Sequence, residues 1–563
     1  MKHTKLIVLL LFLLVGALSK HVRAQEVPVL MDKIVADPRD AEVYFSGFTY
    51  EHPVSIFGDY AVVGASRVAY PTDDEGVVYL YWWNEDECEW ELVDKIVARS
   101  APTGPPDGDP NDRFGVSVSL HGTTIAIGAS GVDIMTSSNA GMVYIYEINI
   151  VSHIAVFKEQ LIAFDNLGDQ DTRTGDAFGL QVDLTGDRLI VGSPRNDLPD
   201  DSDLAGYAIS AGAAYIYHRT LGSFNFINKI VAPVADRHAQ DYFGSGVSIH
   251  GDFAVVGARE DDANLITGIE SGVAFVYRWN GTDWVDPPQR MTDVDLATGD
   301  NYGWNVTINQ QYLGIASRNN DKDAAGSPSF GNAGAVYMYR LDGLTWIADG
   351  KIVAADRVGG ERFGSDIELS DNRIVIGAVH HDKDVTGGGG PDLSSSGKAY
   401  VFSRDISWTE DHQLVASERE AGDEFGNAVA INGKRILIGA HEEEDDGDDL
   451  GTNEANAGSA FIFELLTMPD IPTIESDEAL LCSDGMITTL TITAGDLNDA
   501  DYWEWYADDC DSSPIGTGET IDVSLSDGTT FCARGVWDCE LGDPGDCACI
   551  TIEEDENFWH IAT

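Results

Sequence analysis

The chain has 563 residues, more than one hydrophobic core usually supports, so a repeat array or several domains is expected. Against 95 acidic side chains stand 34 Lys and Arg, a formal charge of −61. That charge repels phosphates and anionic lipid headgroups, excludes nucleic acid as a partner, and favours cations, basic partners or a screening medium.

At the amino terminus, Lys2 and Lys5 flank the start of an apolar run from Leu6 to Leu18. The run is shorter than the roughly 20 residues that span a bilayer. It leads to Val22-Arg23-Ala24, which fits a signal-peptidase site. Residues 1–24 therefore read as a removed signal peptide, with an uncleaved anchor as the rival reading. No later segment is apolar for long enough to cross a membrane, so the mature chain is expected to be secreted or cell-surface and not membrane-spanning.

From there a repeat dominates. One copy runs Asp112-Arg113-Phe114-Gly115, an alternating stretch to Leu120, a His121-Gly122 turn, Ile125-Ala126-Ile127, Gly128-Ala129, and then Val143-Tyr144-Ile145-Tyr146. The aromatic-glycine step returns at Phe178, Phe243, Tyr302, Phe363 and Phe425. The small pair closing the second strand returns as Gly64-Ala65, Gly128-Ala129, Gly192-Ser193, Gly257-Ala258, Ala316-Ser317, Gly377-Ala378 and Gly439-Ala440, at intervals of 59 to 65 residues. A third-strand aromatic appears at Tyr79, Tyr144, Tyr215, Phe275, Tyr337, Tyr400 and Phe461. Each copy holds four short runs of period-two or β-branched character between Gly, Asp and Asn turns, and none has helical periodicity. Four antiparallel strands at this period suit propeller blades, and the small residues suit close packing of the inner strands near the axis.

The fourth-strand signature of the Lys-Ile-Val-Ala kind is offset. It occurs at Lys33–Ala36, Lys95–Ala98, Gln160–Ala163, Lys229–Ala232, Arg290–Thr292, Lys351–Ala354 and Gln413–Ala416. The first copy precedes the first blade and none follows the last aromatic strand. Lys33–Ala36 is therefore expected to complete blade seven, pairing two edges that would otherwise stay open.

These residues resemble the FG-GAP repeat of integrin α-subunit heads and of many bacterial exported proteins; Phe178-Gly179 to Gly192-Ser193-Pro194 carries the match best. The resemblance spans residues 30–466. It implies an all-β, seven-bladed propeller over 25–466 that presents loops for adhesion or ligand binding. Integrin-type copies often carry a calcium loop before the Gly-Ala strand. Here that place holds only His121-Gly122, Thr185-Gly186-Asp187, His250-Gly251-Asp252 and Asn432-Gly433, too short for six to eight oxygen ligands, so that site is not carried over.

Residues 467–472 read as a linker, and 473–563 as a small β-sandwich that looks immunoglobulin-like, with Trp503 or Trp505 in its core near a disulfide. Export makes disulfides the expected state of Cys482, Cys510, Cys532, Cys539, Cys547 and Cys549, for which 15 connectivities are open. Zinc is the weaker reading, because the spacing lacks paired C-x-x-C knuckles and intervening His. Cys88 has no evident partner.

Acidic loops follow the Gly-Ala strand, with Asp197, Asp201 and Asp203; Asp261, Asp262 and Asn264; Asp321 and Asp323; and Asp382 and Asp384. On one propeller face they would form a ring of oxygens able to take calcium, or simply a solvated surface. No cofactor other than calcium is implied. His380-His381 is a poor metal pair, since adjacent histidines diverge. Trp82, Trp83, Trp279, Trp284, Trp304 and Trp346 would stack on sugars or, more commonly, pack between blades. No nucleophile elbow, zinc-protease or phosphate-loop motif is present. Two functions stay open: a non-catalytic module binding an extracellular protein or glycan, and a secreted propeller hydrolase using paired carboxylates.

Overall fold

The computed structural model describes residues 26–36, 45–46, 51–68, 75–101, 108–109, 111–199, 207–261, 271–284, 287–327, 330–383, 393–444, 457–476, 480–481, 487–524, 529–537, 547–551 and 553–554. The signal-peptide residues lie outside this set. The chain divides into two compact units, one of them Leu30–Glu464 and the other built mainly from residue 465 onward.

The first unit holds seven four-stranded antiparallel sheets among the described residues. Blade 1 is a meander of Val54–Phe57, Tyr60–Ala65, Val77–Asn84 and Glu89–Ile96. Blades 2 to 6 repeat it, opening with Phe114–His121, Gln181–Thr185, Phe243–His250, Tyr302–Ile308 and Phe363–Ser370. Blade 7 contains Val429–Asn432, Arg435–Ala440 and Ser459–Thr467, and its fourth strand is Glu26–Val35 from the start of the chain. Each opening strand lies against those of its two neighbours, and Val429–Asn432 returns to Val54–Phe57, so the sheets form a ring.

The closing strand obeys the same chemistry as its counterparts. Lys33 Nζ sits 5.9 Å from the Phe461 ring, as Lys95, Lys229 and Lys351 sit 5.9, 5.6 and 5.1 Å from Tyr79, Tyr215 and Tyr337. Cation and aromatic thus meet wherever a fourth strand carries Lys beside a third-strand ring.

Packing between blades explains the repeated residues. In each blade the aromatic of the Phe-Gly step meets the third-strand ring, as in Phe114–Tyr144 at 5.2 Å, Phe178–Tyr215 at 5.3 Å and Phe363–Tyr400 at 5.3 Å. Phe45 meets Tyr79 in the same way at 5.2 Å, and Ser46 takes a φ of 70° where the other copies carry glycine. Phe45-Ser46 is therefore a further copy of the step, invisible to a search for Phe-Gly. The small residue of the second strand meets the next blade rather than the axis. A Cβ on Gly128 would fall onto the carbonyl oxygen of Gly179, and one on Gly192 onto that of Gly244.

The second unit has a three-stranded sheet of Thr473–Ser476, Ile487–Ala494 and Thr520–Ser524. A four-stranded sheet runs in the order Pro514–Thr517, Tyr502–Ala507, Thr530–Val536 and Ala548–Thr551. Leu490 and Val523 of the first and Trp505, Phe531 and Ala533 of the second share one core. Trp505 is the core tryptophan, with its indole N–H donated to the Gly518 carbonyl at 2.8 Å. Disulfides join Cys510 to Cys547 and Cys532 to Cys549. They gather beside Tyr506 rather than Trp505. Cys482 and Cys539 lie outside the described residues, and Cys88, which lacked an evident partner in the sequence, is disulfide-bonded. The stretch 467–472 is tied into this unit, since Thr467 N donates to Asp499 at 2.5 Å and Asp470 N to the Asp496 carbonyl at 2.8 Å.

Candidate functional site at the long-loop mouth of the ring

In a meander, the connections after the second and fourth strands share one face. Here these are the long ones, while the other face carries short turns such as Gly58-Asp59 and Gly122-Thr123. Between the faces runs a cavity of about 490 Å³ lined by the opening strands of all seven blades.

Its wall is polar at fixed register. Ser55, Ser119, Asp183, Ser248 and Thr307 each accept a backbone N–H from the next blade, from Leu120, Leu184, Ile249, Ile308 and Leu369 at 2.7 to 3.2 Å. These bonds lace neighbouring blades together where sheet pairing cannot. Burial raises the Asp183 carboxyl above its usual range, against the stabilising bonds from Ile249 and Ser248. Glu368 holds the equivalent place in blade 6, and burial, with Asp183 and Asp366 nearby, raises it well above the carboxylate range. Asp366 accepts Val429 N at 2.7 Å and lies 3.1 Å from His52 Nε2. His121 and His250 face the same cavity, and burial lowers both.

At the long-loop face, an acid two residues before each Phe-Gly step turns inward. Asp112, Asp176, Asp300, Glu361 and Asp423 accept the N–H three residues upstream, at 2.6 to 3.1 Å. Burial raises Asp112, Asp176 and Asp300 to about 6, Asp423 to about 7 and Glu361 to about 8. The intervening residues, Arg113, Ala177, Asn301, Arg362 and Glu424, all have φ between 53° and 58°. The regularity of this acid could have been read from the sequence, as Asp112-Arg113-Phe114-Gly115 already displays it.

A second buried network lies beside it. Lys351 Nζ donates to Asp295 at 2.7 Å and Asn320 at 2.9 Å, and Tyr337 also donates to Asp295. Lys229, Asp171, Asn196 and Tyr215 reproduce this in blade 3. In blade 6 the cation comes from Lys398 of the third strand, 2.7 Å from Asp356, and His381 replaces the Asn. His381 points to Asp356 while His380 points to Glu424 at 3.3 Å, so the adjacent histidines do diverge.

The described acidic-loop candidates serve their own loops. Asp197, Asp321 and Asp382 each accept one N–H across the loop, from Ser210, Asn332 and Ser395 at 2.7 to 2.9 Å. Asp323 closes a turn onto Ala325 N and Ser327 N, both at 2.9 Å, and Asp261 is buried 3.9 Å from Arg290. Asp201, Asp203, Asp262, Asn264 and Asp384 lie outside the described residues. The one three-ligand grouping among the described residues is Cys510, Cys532 and Cys547, all held in disulfides.

Of the tryptophans, Trp83, Trp90, Trp284 and Trp346 are buried packing residues, and Trp82 stacks on His153 at 4.0 Å. Trp304 differs. It stands at the mouth of the ring, where Arg318 lies 3.1 Å and Arg259 5.2 Å from its ring centre. Sequence reading passed over these arginines because 59 residues separate them and only ring closure brings them together.

The family model described as the FG-GAP repeat matches residues 90–146, 165–217, 224–277, 346–402 and 408–463. The propeller is built of FG-GAP repeats. The five matched FG-GAP copies include the best-kept sequences, while the blade-5 copy with Ala316-Ser317 and the blade-1 copy with Phe45-Ser46 fall outside. Comparison with curated proteins finds no match. Among solved structures, U3-55K aligns over 77% of this chain and 99% of its own, at 10% identity and a TM-score of 0.42. The periplasmic gluconolactonase PpgL of Pseudomonas aeruginosa aligns over 84% and 95%, at 10% identity and 0.38. Likeness at that level carries no functional argument. Among the described residues no helix is long and apolar enough to cross a membrane.

Proposed function

We propose that this protein is an exported, non-catalytic binding module that engages an extracellular protein or glycan through the long-loop face of its FG-GAP propeller. One observation carries the reading. Most buried acids of the ring, among them Asp183, Asp366, Asp176 and Asp300, are committed to bonds that hold blades and loops, leaving a shaped face as the feature on offer. The signal-peptide reading of residues 1–24 and the disulfides support export. Calcium would act at the carboxylates of the loops bearing Asp197, Asp321 and Asp382. The test is binding of the purified protein to glycan and extracellular-protein arrays with and without calcium. Retained ligands whose binding is lost on grafting short turns in place of the 194–212 and 379–397 connections support the reading, and blank arrays in both conditions overturn it.

A propeller hydrolase is the second reading, favoured by Glu368. It lines the cavity, burial raises its carboxyl well above the usual range, and among the described residues it makes no bond to the next blade equivalent to that of Ser248 or Thr307. Hydrolysis of a polysaccharide panel that Glu368→Gln abolishes without unfolding the protein would replace the binding reading.

A further inference from the structure

The mouth of the ring on the long-loop face contains a small cavity of about 40 Å³, with room for one small polar group. Arg259, Arg318 and Arg362 line it together with Trp304 and Ser245. The arginines come from the ends of blades 4 and 5 and the entry to blade 6, so the cavity exists only because three blades meet.

Several observations point to an oxyanion. Two guanidinium groups share one indole, which fixes both planes and lowers the cost of bringing like charges together. That indole donates its N–H to the Ser365 carbonyl at 3.1 Å, so it is held as a platform. Arg318 is 8% exposed, yet it remains a guanidinium at any ordinary pH. The Ser245 hydroxyl is buried, lines the cavity, and has no hydrogen-bond partner among the described residues, a costly arrangement unless something in the cavity completes it.

The acids lining the same cavity are engaged elsewhere. Glu51 receives the Ser66 hydroxyl at 3.0 Å on both oxygens, and Glu424 lies 3.3 Å from His380 and 3.6 Å from His441. Burial lowers His441 to about 4, so it is neutral and adds no charge of its own. Arg259 also lies 3.4 Å from Glu260, so the cavity wall gathers three guanidinium groups, one of them ion-paired at its rim, in a chain whose formal charge is −61.

We propose that this cavity binds the carboxylate of a small organic monoanion. A polyanion would meet the field of the whole molecule, whereas a single charge pays little for approach and gains the local arginines. The planar fork of a guanidinium matches a carboxylate two-point, which selects it over a tetrahedral anion in so small a space. This deepens the binding reading of the same face. It is testable apart from that reading, because array binding needs the loops and this cavity needs only the ring.

The experiment is thermal shift and calorimetric titration of the full mature chain at low ionic strength with sodium D-glucuronate, sodium acetate, sodium sulfate and neutral D-glucose. Glucuronate and acetate should raise Tm saturably, and glucose should not. Arg362→Gln should weaken glucuronate at least tenfold and Ser245→Ala at least threefold. Arg318→Gln should abolish binding, and if that variant fails to fold the Arg362 and Ser245 variants still decide. Equal shifts with glucose, no saturable response to either carboxylate, or unchanged affinity in Arg362→Gln would each overturn the proposal. Tighter binding of sulfate than of both carboxylates would overturn it too.

Discussion

The two units solve the problem of a small β-sheet core in different ways. In the propeller, the aromatic pair, the Gly-to-carbonyl contact and the buried Lys–Asp–aromatic network recur from blade to blade, so stability is spread over many equivalent seams. In the second unit six strands share one modest core around Trp505, and two covalent bonds bring Cys510 to Cys547 and Cys532 to Cys549. Repetition distributes the load, whereas the small sandwich concentrates it in cross-links.

The sharpest way to break the comparison is to damage one seam. Gly128→Val places a branched side chain against the Gly179 carbonyl and the Ser117 hydroxyl, both of which are fixed. A loss of about 4 kcal/mol or more is expected, with the propeller's denaturant midpoint falling while Trp505 fluorescence of the second unit keeps its own transition. A propeller midpoint unmoved by this change would show the seams to be less coupled than the ring implies.

Removing the cross-links attacks the other side. Opening the two disulfides, with sequence separations of 37 and 17, should cost the second unit about 3 to 4 kcal/mol each. Calorimetry of the Cys510→Ser/Cys547→Ser and Cys532→Ser/Cys549→Ser variants, which leave the disulfide of Cys88 in place, should show the second unit's transition moving far more than that of the propeller.

Next comes the buried network. Lys351→Met leaves Asp295 beside Asn320 and Tyr337 without its cation, and should cost about 3 kcal/mol by urea unfolding. The exposed Arg435–Asp59 pair gives the contrast, as Asp59→Ala should stay within about 1 kcal/mol.

The smallest effect is in pH. Glu361, Asp423, Asp112, Asp176 and Asp300 have folded pKa values of about 8, 7, 6, 6 and 6, above the usual carboxylate value near 4. Folded protein therefore holds protons that unfolded chain has lost, and the associated stability, complete below about pH 4, declines as pH rises through 6 to 8. The lowered carboxyls, Asp171, Asp295 and Asp356, act in the opposite sense and only below about pH 4. Propeller Tm should thus fall between pH 5 and 8, and Glu361→Gln should flatten the upper part of that slope.

Much of the architecture was legible because each repeated residue answers a repeated physical demand. Lys33-Ile34-Val35-Ala36 could be assigned to the last blade from its pattern alone, since a fourth strand needs the same Lys beside the same ring. Phe45-Ser46 was missed because serine tolerates the positive φ that the Phe-Gly pattern assigns to glycine. The loop aspartates read as cation ligands, yet Asp197, Asp321 and Asp382 are acceptors for their own backbones, and residue type does not tell those roles apart. Arg259, Arg318 and Arg362 carry no local signal whatever. Their meeting is a property of the ring.

Closure by Glu26–Val35 has a consequence for how the molecule assembles. The segment that emerges earliest must stay uncommitted until Ser459–Thr467 exists to receive it. Every partial chain is an open crescent with two raw borders, and the circle locks only once its opening words meet its closing ones. A polypeptide cut short before Ser459 lacks the strand that receives Glu26–Val35 and cannot make that final join.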